Sequence, residues 1–260
     1  MMQNPPTLTV VIVAKNEARN ISECVASASF ANEVIVLDSG STDATAELAR
    51  QAGARVVTTD WPGYGPQVAR GFSMATCDWV LSLDADERVT PELAREITSA
   101  IALGTSVGYR IPRLSEFVGK FIHHSGWRPD YTLRLGVRTA SGFTDHFLHA
   151  HMTVNGEIRE LKNPLVHFSY PDLHDVLEKL DRYSTGHAKD MHARGKTASL
   201  KKAIVHSLFA FVRTYFLRLG FLDGQRGMML AIYNAEYTYY KYVKLMMISS
   251  PVVRPTIPRL

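Results

Sequence analysis

The stretch Trp79-Val-Leu-Ser-Leu-Asp-Ala-Asp-Glu87 decides the fold of this 260-residue chain. A short apolar run ends abruptly in acidic residues, and Val34-Ile-Val-Leu-Asp-Ser-Gly-Ser-Thr-Asp43 has the same form. Apolar runs of this length, bounded by polar turn residues, are typical of buried parallel strands. Ligands of open α/β sheets bind outside the carboxyl ends of the strands. The sequence therefore predicts that these acidic side chains lie at a ligand-binding edge.

The acid pair Asp84 and Asp86 indicates a metal site. The two residues are two positions apart, so their carboxylates point to the same side if the strand geometry continues. Paired carboxylate oxygens with open positions suit a divalent cation that also holds phosphate oxygens. Because a single Asp-x-Asp is common in loops, the prediction depends on the strand before it and on the second acid-ended strand. The expected ion is Mg²⁺ or Mn²⁺.

The flanking sequence alternates strand and helix patterns, which predicts an α/β fold with a doubly wound parallel sheet. Ser41 or Thr42 is the predicted N-cap of the helix after the second strand. From Tyr109 the pattern becomes irregular and rich in Gly, His and aromatic residues, as in loops that carry specificity. The predicted strands are 8–14, 33–37, 55–58 and 79–83, and a helix is predicted from Pro91 to about Leu103.

The charge of the chain is divided unevenly. The net charge is +4, yet residues 1–178 carry 15 basic against 21 acidic residues, and residues 179–260 carry 14 against 4. This asymmetry indicates an anionic partner for the C-terminal part. Two cysteines give no disulfide framework, and the N-terminus shows no secretory signal pattern.

An apolar stretch from Ala203 to Leu222 lies within the basic part. His206, Arg213 and Arg218 interrupt it, which makes a membrane-spanning helix less favourable than a helix lying in the membrane interface. A buried core helix is the alternative. We expect an anionic membrane surface, and not nucleic acid, as the partner of this segment.

Several motifs together resemble those of family 2 glycosyltransferases with the GT-A fold, over nearly the whole chain. Within that family the chain is similar to the lipopolysaccharide inner-core glucosyltransferases that act on heptose. The generic motifs are Ala14-Lys-Asn-Glu17, Leu37-Asp-Ser-Gly-Ser-Thr-Asp43, Trp61-Pro-Gly-Tyr-Gly-Pro-Gln67 and Asp78–Glu87; those of the subgroup are Gly126-Trp-Arg-Pro-Asp-Tyr-Thr-Leu-Arg134, Gly220-Phe-Leu-Asp-Gly224 and Tyr239-Tyr-Lys-Tyr-Val-Lys-Leu245.

The resemblance implies a role for each matched position. Trp127 and Asp130 would bind the acceptor sugar through an indole face and a carboxylate. Asp84 and Asp86 would mark the metal and diphosphate site. The nucleotide sugar would be held by Ala14, Asn16, Glu17, Asp38, Gln67 and Asp84. The absence of Gly-x-Gly-x-x-Gly after the first strand argues against a dinucleotide oxidoreductase on the same sheet.

Two departures from the family pattern bear on catalysis. Relatives carry Val-His-Glu where this chain has Leu148-His-Ala150, so the glutamate that would take the acceptor proton is missing. Asp145 and His149 are the catalytic candidates, with His151 nearby. The basic residue and asparagine expected after Gln67 are replaced by Val68 and Ala69.

The resemblance implies a metal-dependent inverting glycosyltransferase that moves a sugar, glucose by expectation, from a UDP-sugar to a lipopolysaccharide core glycolipid. The alternatives are a polyprenyl-phosphate glycosyltransferase and a catalytically impaired homologue that binds sugar nucleotides or glycans. The expected domains are 1–170, divided into a nucleotide-sugar half (1–105) and an acceptor half (106–170), and a basic helical extension (171–260). The expected location is cytoplasmic, peripheral on the inner face of the bacterial inner membrane.

Overall fold

The computed structural model describes residues 5–144 and 151–250. The chain divides into two compact units, the first formed by Met1–Ser115 with Pro129–Ser169 and the second by Glu116–Arg128 with Tyr170–Leu260. The short segment 116–128 thus belongs with the C-terminal helices.

The first unit is built on four parallel strands. They are β1 (Leu8–Ala14), β2 (Glu33–Asp38), β3 (Arg55–Thr58) and β4 (Trp79–Asp84), in the order β3-β2-β1-β4. The register pairs Ala14 of β1 with Asp38 and Val13 with Asp84. Both acidic residues therefore lie at the carboxyl edge on either side of β1. The strands predicted from sequence are confirmed to within one residue.

Four helices cover the two faces of this sheet: α1 (Ile21–Ser27), α2 (Thr45–Gln51), α3 (Tyr64–Met74) and α4 (Pro91–Leu103). Alternate residues of β1 enter different cores, since Val10 and Ile12 pack in one and Val11 in the other. This burial on both faces explains the unbroken apolar runs in the sequence. The predicted cap of α2 was wrong, because the backbone amide of Thr45 donates to Asp43 and not to Ser41 or Thr42.

An antiparallel extension continues the sheet beyond β4 in the order β8-β6-β12-β5. The later strands are β5 (Glu87–Val89), β6 (Gly108–Phe117), β7 (Lys120–Phe121), β8 (Tyr131–Val137), β9 (Ser141–Phe143), β10 (Met152–Val154), β11 (Ile158–Glu160) and β12 (Leu165–Tyr170). A shift in the β6–β8 register falls between Tyr109 and Arg110. Such irregularities redirect side chains, and they are frequent beside binding sites.

The second unit consists mainly of α5 (Leu173–Ala193), α6 (Leu200–Val212) and α7 (Gln225–Ser249). Helix α7 packs against both others. The core of this unit is rich in aromatic side chains, among them Phe117, Trp127, Tyr170 and Tyr233, whose rings meet at centroid distances of 5.7–6.2 Å.

A buried carboxylate of the Gly220–Gly224 motif binds the chain just before the Gly126–Arg134 motif. Asp223, only 2% exposed, accepts hydrogen bonds from the backbone amides of His123 and His124 and from the hydroxyl of Ser125. Asp223 closes a short 3₁₀ segment, Gly220–Asp223. The Gly220–Gly224 motif is thus a clamp that fixes the chain just before Gly126.

Helix α6 continues into a π-helical segment, Arg213–Leu217, and the helix then stops before the 3₁₀ segment Gly220–Asp223, so the apolar stretch is not one continuous helix. Most of its large side chains face outward: Leu208 is 63% exposed and Phe209 55%. Small residues, Ala203 and Ala210, form its buried side. The alternative of a buried core helix is therefore wrong. Within residues 5–144 and 151–250, none of the helices has both the length and the apolar character needed to cross a membrane.

Candidate functional site

The loops after β1 and β2 are tied together at the carboxyl edge of the sheet. Asn16 adopts a left-handed backbone conformation with φ of 56°, which asparagine tolerates better than most residues. Its amide donates to Ser41 Oγ at 2.9 Å, and its side-chain oxygen accepts from the Thr42 amide at 2.8 Å. The amide of Glu17 donates to Thr45 Oγ1 at 2.8 Å. These bonds hold the Asn16–Glu17 backbone beside the end of β2.

Asp38 and Gln67 fix these loops through the hydrogen bonds of their buried side chains. Asp38 is 3% exposed and accepts from the Ser41 amide. Gln67 is fully buried and donates its amide hydrogens to Ser39 and Thr59. The structure therefore gives Gln67 structural partners, and its side chain fixes the loops that surround Asp38.

A buried ion network lies where β4 ends. The Arg134 guanidinium on β8 donates to Asp84 Oδ2 at 2.5 Å and to Glu87 Oε1 at 2.7 Å. Glu87 is fully buried, and Tyr64 donates its hydroxyl hydrogen to Asp84 Oδ1. Asp84 is thus held at both oxygens. The strand ends at Asp84, and Ala85–Asp86 form a turn before β5, so the strand geometry does not continue to Asp86.

The pKa values of the two acids in this network shift in opposite directions. Burial alone raises the pKa of Asp84, but the Arg134 charge and the Tyr64 hydroxyl outweigh burial and hold that pKa at about 2. Burial also raises the pKa of Glu87, and for this residue burial outweighs the opposing charge of Arg134. Burial, reinforced by the Asp84 charge, raises the pKa of the Tyr64 phenol. At neutral pH Asp84 is therefore charged, and Tyr64 keeps the hydroxyl hydrogen that it donates to Asp84.

Asp86 has a different partner from Asp84. Its Oδ2 lies 3.4 Å from His167 Nε2 on β12, and the Asp86 carbonyl accepts from the Phe168 amide at 2.9 Å. One carboxylate oxygen and one imidazole nitrogen at this separation fit two ligand positions of a divalent ion. The described residues contain no group of three or more His, Cys, Asp or Glu that could hold a metal by themselves. This donor set accordingly fits an ion that shares its coordination with a bound phosphate.

A cavity of about 440 Å³ opens beside this network, within the size range of small-molecule sites. Asp84 and Tyr64 lie at one side of it, and Arg110 and Arg113 of β6 also line it. The Nε of Arg134, another lining residue, is buried and has no partner among the described residues. A polar group at this position without a partner is consistent with a site that takes a ligand.

The structure gives Trp127 and Asp130 internal partners. In the second unit, Trp127 packs edge-on against Phe117 at 5.8 Å. In the first, Asp130 accepts from Nε and Nη2 of Arg113, both through Oδ2, at 2.9 and 2.6 Å. The catalytic candidates Asp145 and His149 lie outside the described residues. His151, which is described, lines the cavity that contains Asp84.

Four side chains of this site have no role that the sequence pattern predicts: Tyr64, Glu87, Arg134 and His167. In the sequence, the only indication of such a role is a charged or aromatic residue inside a motif or between apolar strand residues, as in Leu133-Arg134-Leu135. That signal could not name the partner, because Arg134 and Asp84 are 50 positions apart and meet only through the pairing of β4 with β8.

Comparison with known proteins agrees with this architecture. Residues 9–154 match the family described as Glycosyl transferase family 2, and the chain belongs to that family. Its α/β sheet with a helical C-terminal extension is the GT-A arrangement that the sequence predicts.

Several relatives match along nearly the whole chain. An uncharacterized glycosyltransferase of Rickettsia felis is 28% identical over 92% of this chain and 89% of its own length. The lipopolysaccharide core biosynthesis glycosyltransferase LpsC of Rhizobium meliloti is 27% identical over 96% of both chains. Among solved structures, glucosyl-3-phosphoglycerate synthase from Mycobacterium tuberculosis, in complex with Mn²⁺, UDP and glucosyl-3-phosphoglycerate, is 28% identical over 43% of this chain and 44% of that chain, with a TM-score of 0.37.

Proposed function

We propose that this protein is an inverting glycosyltransferase that moves a hexose, namely glucose, from a UDP-sugar to a glycolipid of the lipopolysaccharide core. The observation that carries the proposal is the carboxyl edge of the sheet. Asp38 at the end of β2 and Asp84 at the end of β4 lie there on either side of β1, and Asp84 also lines the cavity. The similarity to LpsC along 96% of both chains supports the acceptor class.

The donor half of the proposed site lies at the ends of β1 and β2. The backbone of Ala14, Asn16 and Glu17 and the carboxylate of Asp38 would hold the uracil and ribose, since an acid beside a nucleoside accepts hydrogen bonds from its NH or OH groups. Gln67 would act through the loops that it fixes.

Asp86 and His167 would hold a divalent ion, and the imidazole in this set favours Mn²⁺ over Mg²⁺. Such an ion, when bound, offsets the negative charge that grows on the leaving diphosphate. Asp84 would complete the site as a charged group fixed by Arg134 and Tyr64. In this proposal Asp86 binds the ion together with His167, and Asp84 contributes a charge that its own partners hold in place.

We assign removal of the acceptor proton to the segment 145–151. Asp145 and His149 are the candidates from the sequence. His151 adds a third group, whose Nδ1 lies 3.3 Å from Thr144 Oγ1 and which lines the same cavity as Asp84. An inverting transfer needs one such group within hydrogen-bond reach of the acceptor hydroxyl.

Titration calorimetry with UDP tests the donor site. We expect binding that strengthens with Mn²⁺ and that loses this dependence in Asp86→Ala and in His167→Ala. Glu92→Gln, an exposed acid on α4, is the matched control and should bind as wild type. Unchanged Mn²⁺-dependent binding in both site variants would rule out this metal assignment, and UDP release from UDP-glucose with a core glycolipid then tests turnover.

We further propose that the second unit binds an anionic membrane surface. The exposed apolar side chains of α6, such as Leu208 and Phe209, lie on the same helix as the exposed Lys201 and Lys202. Apolar side chains beside basic ones match the interior and the headgroups of an anionic bilayer. This location suits an enzyme whose acceptor is a glycolipid.

A further inference from the structure

We propose that the acceptor carries an acidic group, a phosphate or a carboxylate, and that Arg110 binds it at the far side of the cavity from Asp84. This inference rests on the proposed glycosyltransferase function and names the chemistry of its second substrate. It depends on the charge pairing inside the cavity, on the position of β6 in the sheet and on the face of β6 to which Arg110 points.

Two of the three arginines that line the cavity are already paired. Arg134 is held by Asp84 and Glu87. Arg113 is held by Asp130 at 2.6 Å, and its Nη1 lies 4.0 Å from Glu87. Their charges are therefore compensated within the protein.

Arg110 is different. Its side chain is exposed, and no acid among the described residues lies within ion-pair distance of it. Glu160 is its register partner on β11, yet the two side chains form no ion pair. Among the described residues, Arg110 thus contributes an uncompensated positive charge to a cavity whose other two arginines are paired, and a ligand with a negative group would balance it.

The backbone explains why Arg110 faces the cavity. The register pairs Tyr109 with Leu135 and Arg110 with Leu133, so the extra residue of the irregularity is Arg134 on β8, and β6 keeps its regular alternation. The neighbours Tyr109 and Ile111 are buried in the core of the first unit, so Arg110 points to the opposite face. Strand alternation by itself does not require an arginine at position 110, since any polar residue could face solvent there.

The order of the strands separates this charge from the nucleotide end of the site. Arg110 lies on β6, four strands from Asp38 in the order β2-β1-β4-β8-β6. Neighbouring strands are about 4.8 Å apart, so the two backbones are roughly 19 Å apart. With the nucleoside at β2 and the diphosphate at β4, the β6 side is where the acceptor enters. The acidic group is therefore assigned to the acceptor and not to the donor.

The test measures binding of core oligosaccharide in three forms: untreated, dephosphorylated and carboxyl-reduced. Equilibrium titration at constant ionic strength is used for the wild type, Arg110→Ala and Arg110→Lys, so no turnover is required. Arg95→Ala, an exposed arginine of α4 away from the cavity, is the matched control.

We expect the wild type and Arg95→Ala to bind one of the modified forms at least about 10-fold more weakly than the untreated form, as for loss of a charged hydrogen bond. The form that loses affinity identifies the group as phosphate or carboxylate. Arg110→Ala should bind all three forms equally weakly, and Arg110→Lys should keep part of the preference.

UDP affinity, measured in parallel, separates this inference from the proposed function. It should be unchanged in Arg110→Ala. A preference that survives in Arg110→Ala, equal wild-type affinity for all three forms, or weakened UDP binding in this variant would overturn the acceptor assignment. Absent UDP binding by the wild type, with the Arg110-dependent preference intact, would instead refute the donor assignment alone.

Discussion

A single guanidinium organises the end of β4. Arg134 is 5% exposed and contacts two carboxylates, one of them on the fully buried Glu87. Burying three charged groups is unfavourable unless they are paired, because each loses its hydration. The network therefore fixes the position of Asp84 only as long as all its members are present.

The first prediction concerns this network. Arg134→Met should lower the free energy of unfolding by about 3–5 kcal/mol, because it leaves buried carboxylate charge without a partner. Urea denaturation measures the change. Arg95→Ala, on the surface, should stay within about 0.5 kcal/mol of wild type.

A double variant sharpens the test. Replacing Glu87 by Leu in the Arg134→Met background should recover part of the loss, since an apolar pair no longer needs compensation. A single variant that loses less than about 1 kcal/mol would show that the network is not required for stability.

The second prediction concerns the missing glutamate at Ala150. If this position is where relatives keep their base, Ala150→Glu should raise the turnover rate by about 10²–10⁴-fold. UDP-sugar affinity should change little, because the base acts on the acceptor. The measurement is UDP release with acceptor present.

Asp145→Asn, assayed beside it, distinguishes the alternative. A large loss of rate in Asp145→Asn, with no gain in Ala150→Glu, would show that Asp145 has taken over proton removal. An unchanged rate in both variants would show that the base is elsewhere, with His151 next to be replaced.

At the scale of elements, the start of α7 depends on two glycines that touch. A Cβ at Gly227 would lie 1.8 Å from the carbonyl oxygen of Gly220 and 3.0 Å from the side chain of Asp223. The clash is with backbone, which cannot rotate away. This close approach brings the Asp223 carboxylate under the amides of His123 and His124.

The third prediction is a reversal of the usual helix propensity. Gly→Ala inside a helix ordinarily stabilises a protein by about 0.5–1 kcal/mol. Gly227→Ala should instead destabilise this protein by about 1–3 kcal/mol, as for overpacking. Thermal and urea unfolding give the sign, and a stabilised variant would mean that α7 can shift away from Gly220 without loss.

At the scale of the whole molecule, the uneven distribution of charge along the chain predicts which surface the C-terminal part binds. Residues 179–260 carry 14 basic and 4 acidic residues. A basic segment beside exposed apolar side chains binds anionic lipid by two additive effects, and only the electrostatic one is screened by salt.

The fourth prediction follows for vesicle co-sedimentation. Binding should require anionic lipid and weaken as salt increases. The double variant Lys201→Glu with Lys202→Glu should bind at least about 30-fold more weakly, because each lost basic residue costs about 1 kcal/mol and the new glutamates are repelled by anionic lipid.

The matched control reverses two charges in the first unit, Arg95→Glu with Lys162→Glu, and should sediment as wild type. Equal binding to neutral vesicles at high salt would contradict an electrostatic contribution and indicate a purely apolar attachment.

The sequence by itself determined the parallel sheet, because strands buried on both faces must be continuous apolar runs, and 79–84 and 33–38 have that form. It also placed acids at the carboxyl edge, since a strand that ends in Asp puts that Asp at the edge. Local pattern was sufficient for these features because each depends on residues that are adjacent in the chain.

Only the tertiary structure decided which groups meet. Arg134 reaches Asp84 and His167 reaches Asp86 through the pairing of strands far apart in sequence, and neither contact has a local signature. The same is true of Arg110, whose significance depends on its having no acidic partner among the residues that the structure describes. Charge compensation is a property of the neighbours in space, and a linear pattern records only the neighbours along the chain.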